Sequence, residues 1–365
     1  MQSASELREL VFGEFAHGAN TRAVSTLYDL SKEDLLDMSS STNPLITNWI
    51  KRHSRLVKEV LSKIYEYPDP EGADFKSAVS QRFGIPEKSV LPSNGSVELV
   101  YFCLVGLKPR SVLIVEPTFV EYAKACKTLK VPVQRVFLLN YADLRSVLED
   151  ILKKQKVDLV FLCNPNNPTG AYARKNEILS VIKESDEVFF VVDEAFIEFR
   201  EEESLIKESA ELKNLLVLRS LTKFYGLAGL RIGFGVGDVE LIKKIKKVMP
   251  PWRVNALAEK IAERLILDEE FYRKTKEYFS KEKKSFERGL KKLGVKFFPS
   301  VTSFYLIHFE GKGKRLWEDF LKRGILLRSC FNFFGLGWDY IRVSLKKSRN
   351  NKRFLKELEE CLRVA

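Results

Sequence analysis

Between residues 95 and 237 the chain alternates, and this alternation limits the folds open to it. Apolar runs at 111–117 (SVLIVEP), 131–139 (VPVQRVFLL), 158–165 (DLVFLCNP), 187–196 (EVFFVVDEAF), 215–220 (LLVLRS) and 230–237 (LRIGFGVG) are separated by helical stretches such as YADLRSVLEDILKKQ and ARKNEILSVIKES. Near-continuous apolar runs predict strands covered on both faces, as in an α/β sheet that is mostly parallel and flanked by helices. Functional groups in such sheets gather beyond the carboxyl ends of the strands. Asn164–Gly170, Asp193-Glu194 and Ser220–Lys223 stand at those ends.

The flanks differ in character. Residues 1–45 read as an irregular arm, with a capping-type helix start at Ser31–Leu36 and an end at Asn43-Pro44. Residues 46–253 form the large α/β domain. Beyond Pro250-Pro251, a long charged helix region at about 255–292, the runs SFYLIHF, ILLRSC and YIRVSLK, and a closing helix predict a smaller α+β domain over 254–365. Two lobes are what 365 residues lead one to expect.

Bulk properties remove other classes. No apolar run has membrane-spanning length, and MQSASELREL lacks the apolar core of a secretory signal. Five cysteines without CxxC spacing read as small core residues of a cytoplasmic protein, and three histidines leave no His-rich metal site. The net charge of +12 is concentrated in Leu241–Lys247 and Arg273–Lys292, where lysines alternate with apolar residues at helical spacing. That pattern is a solvated helix face rather than a nucleic-acid surface.

Several residues are candidates for chemistry, each with a plainer alternative. Lys223 follows a buried run and has Ser220, Thr222 and Arg231 near it in sequence. It is either a surface-turn lysine or an amine forming a Schiff base with a phosphorylated aldehyde cofactor. Asp193 ends VFFVV and either caps the next element or pairs with a pyridinium N–H. In NPNNPTG (164–170), two prolines and a glycine fix a tight loop from which Asn167 can reach a phenolate oxygen. Gly95 and Ser96 precede a helical run, offering either ordinary capping or a phosphate site. Phe119 is a core aromatic or a cover for one face of a ring. Arg328 and Arg342, beside apolar neighbours, need anions: structural carboxylates, or a substrate carboxylate or phosphate. His17-Gly18-Ala19-Asn20 is a turn or a cluster of donors.

Taken together, NPNNPTG, DEAF, SLTK, GLR and a C-terminal arginine, in that order, resemble pyridoxal-phosphate enzymes of the aspartate aminotransferase fold over nearly the whole chain. The finer match is to the L-threonine-O-3-phosphate decarboxylases, with the histidinol-phosphate aminotransferases next. It rests on His17-Gly18 with Asn20, LLDMS before Asn43-Pro44, Tyr67-Pro68-Asp69, GLKPR, DEAFIEF, LRSLTKFY, PWRVNALA, and RSC followed by Asn332 and Arg342. The resemblance implies pyridoxal 5'-phosphate as cofactor, Lys223 as the Schiff-base lysine and Asp193 as the pyridinium partner. It implies that Gly95, Ser96, Val97, Phe119, Asn167, Ser220, Thr222 and Arg231 bind the cofactor, with Tyr67 reaching in from a second subunit of a homodimer. His17, Gly18, Ser41, Asn167, Arg328 and Arg342 would contact a small phosphorylated amino acid. Ser41 is a departure, because the decarboxylases carry asparagine there.

Overall fold

The strands form in chain order as β1 (Leu36–Asp37), β2 (Val90–Ser93), β3 (Val112–Glu116), β4 (Val133–Phe137), β5 (Leu159–Cys163), β6 (Phe189–Asp193), β7 (Leu215–Ser220), β8 (Gly233–Gly237), β9 (Phe304–His308), β10 (Ile325–Leu326), β11 (Arg328–Ser329) and β12 (Tyr340–Ser344). They come from a computed structural model that describes residues 2–31 and 33–364. Every apolar run of the alternating segment is thus a strand. β2 was not expected, because Pro92 cannot donate to a ladder; it is tolerated here because β2 is the outermost strand.

The large sheet has seven strands in the order β2-β8-β7-β6-β5-β3-β4. Only β8 runs against the rest. Successive residues of each strand feed opposite layers. Phe161, Leu216 and Leu218 join Leu99, Cys103 and Tyr122 on one face. Val160, Leu162 and Val217 join Leu144, Leu148, Ile178 and Ile182 on the other. Both faces are therefore dry, which is why these strands read as unbroken apolar runs. The carboxyl ends of β2, β3, β5, β6 and β7 share one edge, and β8 begins there.

The smaller lobe holds an antiparallel sheet ordered β11-β12-β9 and the parallel pair β1-β10. ILLRSC is split at Leu327, so β10 and β11 serve different sheets.

Two expectations fail locally and one is refined. The arm is not irregular: it carries helices Ala4–Phe12 and Thr21–Tyr28. Leu7, Val11, Val24 and Met38 pack with Phe286, Tyr305, Trp317 and Phe354 in one hydrophobic cluster. No helix starts at Ser31–Leu36; Glu33 and Asp34 lie in a turn, Leu36 opens β1, and Lys32 lies outside the described residues. The long helix region near 255–292 is two helices, Ala256–Ile266 and Glu269–Lys292. Asp268 separates them, accepting from Phe271 N at 2.8 Å and from Trp49 Nε1 at 2.7 Å. Among the described residues no helix is long and apolar enough to cross a membrane.

Candidate active site

A cavity of about 480 Å³ opens where the carboxyl edge of the large sheet meets the smaller lobe. Its floor is made by strand ends. Lys223 follows β7 by three residues and is half-buried on the cavity wall, and its Nζ makes no hydrogen bond to any described residue. Burial, helped by the nearby charges of Arg342 and Arg231 and opposed by Asp193, lowers the ammonium pKa to about 8. Asp193 ends β6, accepting from Tyr122 Oη at 2.7 Å and Ala195 N at 3.0 Å. Burial nevertheless pushes its pKa up, so this carboxylate gains from a cation placed against it.

The loop after β5 is fixed by its own amides. Asn164 exchanges two bonds with Ala173, at 3.1 and 2.9 Å. Asn166 donates to Pro117 O at 2.9 Å and accepts from Thr118 Oγ1 at 3.0 Å. Asn167 is the amide left facing the cavity, where its Oδ1 accepts from Arg342 Nη1.

An anion cradle lies beside these groups. Ser96 and Val97 open the helix Ser96–Leu107, whose first N–H groups have no partner inside the helix. Gly95, at φ +80°, leaves room for Arg231: a Cβ there would stand 2.6 Å from Arg231 Nη2. Gly233 does the same for the helix start, since its Cβ would meet Ser96 N at 2.6 Å. Ser220 and Thr222 hydroxyls lie 2.8 Å apart on the same wall.

The opposite wall comes from the smaller lobe and the arm. Arg328 and Arg342 are directly opposed across β11 and β12, and both are buried. Arg328 donates to Ser329 O at 2.6 Å, Ala16 O at 2.8 Å and Asn332 Oδ1 at 2.7 Å. Arg342 donates to Ser39 O at 2.6 Å, and its buried Nε has no partner among the described residues. Among the described residues neither forms a salt bridge with a carboxylate. Burial pulls the Arg328 guanidinium down to about 10. His17, Gly18 and Ser41 complete this wall. His17 Nε2 meets Glu121 Oε1 at 2.6 Å, and Ser41 Oγ meets Ser344 Oγ at 2.8 Å. Asn43 N donates to Lys223 O at 3.2 Å, and its Nδ2 reaches Phe224 O at 2.8 Å and Thr275 Oγ1 at 3.0 Å.

The model for aminotransferase class I and II matches residues 25–358. The chain belongs to that family. It is 31% identical to the histidinol-phosphate aminotransferase of Methanocaldococcus jannaschii, over 95% of each chain. It is 32% identical to the threonine-phosphate decarboxylase of Salmonella typhimurium, over 95% of this chain and 96% of the relative. Among solved structures, the histidinol-phosphate aminotransferase of Clostridium acetobutylicum superposes with a TM-score of 0.81 at 29% identity, over 91% of this chain and all of that one. The fold is the aspartate aminotransferase-like, pyridoxal-phosphate type I fold, and the chain is an enzyme of this family.

The cofactor of this aminotransferase family is pyridoxal 5'-phosphate, and the residues present fit it. An unpaired amine of lowered pKa, a dry carboxylate and a glycine-cleared anion cradle surround one space. The cavity brings together Lys223, Asp193, Asn167, Ser96, Val97, Phe119, Ser220, Thr222 and Arg231 with His17, Gly18, Ser41, Arg328 and Arg342. It does not include Tyr67, which is 82% exposed in this single chain. Gly95 acts by lacking a side chain and stands just behind the wall. Sequence reasoning missed Glu121 and Tyr101, which line the cavity, and Asp37 and Lys346, which bond Ser40 on its wall. An acid in a first helical turn, as Glu121 is, carries the same signal as any dipole-complementing residue.

Proposed function

We propose that the enzyme decarboxylates L-threonine O-3-phosphate to (R)-1-amino-2-propanol O-2-phosphate, as a step in cobalamin biosynthesis. The observation that carries this reading is the opposed pair Arg328 and Arg342, buried without a carboxylate partner among the described residues and facing the cavity with His17. Like charges placed opposite one another destabilise a sheet. A substrate phosphate, whose several oxygens accept from more than one donor at once, answers that excess of donors.

In the roles we assign, residues 1–45 contribute His17, Gly18 and Ser41, residues 46–253 carry the cofactor contacts, and residues 254–365 supply the arginines. Gly95, Ser96, Val97, Ser220, Thr222 and Arg231 hold the cofactor phosphate. Phe119 covers one ring face, Asn167 meets the ring oxygen, and Asp193 pairs with the ring nitrogen. Bound in this way, pyridoxal phosphate supplies an electron-accepting ring for the substrate amine. The bond at Cα that breaks is the one the pocket holds across the ring plane. Arg328, Arg342 and His17 grip the substrate phosphate and turn the carboxylate out of that plane, so carbon dioxide leaves. Lys223 Nζ, with its lowered pKa, returns a proton to Cα.

The family's other activity remains the second reading, on the observation that the histidinol-phosphate aminotransferase relative is as similar as the decarboxylase. The same catalytic groups would then remove hydrogen from Cα. A cytoplasmic homodimer belongs to either proposal. Ile64, Tyr65 and Tyr67, exposed by 73, 80 and 82%, form an apolar surface suited to a second copy, with Tyr67 completing that copy's site.

The deciding experiment incubates cofactor-loaded protein with threonine phosphate, and separately with histidinol phosphate and 2-oxoglutarate. Carbon dioxide from the first supports the decarboxylase. Glutamate from the second, without carbon dioxide from the first, replaces it with the aminotransferase.

A further inference from the structure

Glu121 poses a problem for a cavity that collects anions. Its side chain is buried, it lines the same space as Arg328 and Arg342, and it is a carboxylate. A bare negative charge there would repel a phosphorylated ligand.

Its hydrogen bonds resolve the conflict. Oε1 accepts from His17 Nε2 at 2.6 Å and from Lys124 Nζ at 3.1 Å, and Oε2 accepts from Tyr101 Oη at 2.7 Å. These donors outweigh burial and hold the carboxyl pKa down to about 2, so Glu121 only accepts. It follows that Nε2 of His17 carries the proton. Nδ1 can then donate to a ligand oxygen only when the ring is cationic. Without Glu121 the ring has little to hold it, since His17 is 41% exposed at its side chain and belongs to the loop between two short helices. The ring also meets Phe119, a tilted approach at 5.7 Å between ring centroids.

The other charges around the imidazole come from every side. Glu121 and Lys124 lie on the helix Glu121–Thr128, and Tyr101 lies on Ser96–Leu107. Arg328 binds Ala16 O, one residue before His17, and Glu14 pairs with Lys127. The arm is therefore fastened to the large lobe two residues beyond Phe119.

We propose that Glu121 is a positioning residue: it fixes the place of His17 and supplies the counter-charge for its cationic ring, whose Nδ1 then donates to the phosphate of the substrate. The proposal rests on the reading of the cavity as a site for a phosphorylated amino acid. It also selects among substrates, because a ligand without the phosphate makes no use of the His17–Glu121 pair.

The test is a double-mutant cycle on the cofactor-loaded enzyme, with Glu121→Gln made in the parent and in His17→Ala. Losing a charge-assisted bond to the imidazole should raise KM for threonine phosphate about 10-fold and leave kcat within about twofold. In the His17→Ala background, Glu121→Gln should add nothing. An equal rise in both backgrounds, an unchanged KM in the parent, or a fall in kcat with KM intact would overturn the proposal. Should Glu121→Gln fail to fold, Tyr101→Phe removes a donor to the same carboxylate. It should give a smaller KM rise that also vanishes without His17; the same rise with and without His17 refutes it. The dissociation constant of threonine phosphate, read from the cofactor's absorbance, gives the same comparison whether or not carbon dioxide is released. The decarboxylase reading and this one therefore fail separately.

Discussion

The floor and the far wall of the cavity are built on different principles. The floor comes from strand ends of one sheet, where Asp193 and Ser220 are placed by backbone ladders that no single side chain controls, and Lys223 follows three residues beyond β7. The far wall is assembled from pieces distant in sequence, with His17, Ser41, Arg328 and Arg342 held by individual hydrogen bonds. Chemistry common to a family needs the rigid arrangement. Choice of substrate can change with a few side chains, and the wall is where such changes cost least in folding.

The comparison can be broken most directly at Lys223. Lys223→Ala should lower turnover by about 10⁴-fold or more, whichever substrate is correct, with the fold intact by circular dichroism. Retained activity would remove the floor from the chemistry. On the wall, Arg328→Ala should raise KM about 100-fold while the cofactor spectrum stays normal. If cofactor affinity fell instead, the two regions would not be separable.

Gly95→Ala sharpens the contrast from the other side. Its methyl would meet Arg231 Nη2 at 2.6 Å, at a φ of +80°. Cofactor affinity should fall by about tenfold, with the ratio of kcat/KM between competing substrates unchanged. A pH series is gentler still. The Lys223 amine reacts when neutral, so the rate of cofactor loading by apoprotein should climb and level off above about pH 8. The same shift gives a stability sign. The folded value lies below 10.5, so the folded apoprotein holds fewer protons than the unfolded chain between about pH 8 and 10.5, and this lysine's contribution to stability rises across that window. Ser41→Ala should cost about 1 kcal/mol by losing the bond to Ser344, measured by thermal unfolding, with little effect on the floor.

The same contrast explains what could be read from the chain alone. Strands covered on both faces announce themselves as apolar runs, and strings such as NPNNPTG carry their own turn chemistry, so the sheet and floor were legible. β2 was hidden by Pro92, acceptable only on an outer strand. The arm looked irregular because its helices are 9 and 8 residues long and are stabilised mainly by packing against residues beyond 279. Glu121 was silent because its meaning depends on a histidine 104 positions away.

Asn43 carries a consequence for how the enzyme is made. One side chain joins the backbone at Phe224 to Thr275, while its own N–H holds Lys223 O. A nascent polypeptide stalled before Thr275 clears the ribosome would carry Asn43 and Lys223 with one of these three bonds still missing. The backbone that bears the reactive amine should therefore be fixed late in translation, and stalled chains of increasing length would show its protection from protease as a step rather than a slope.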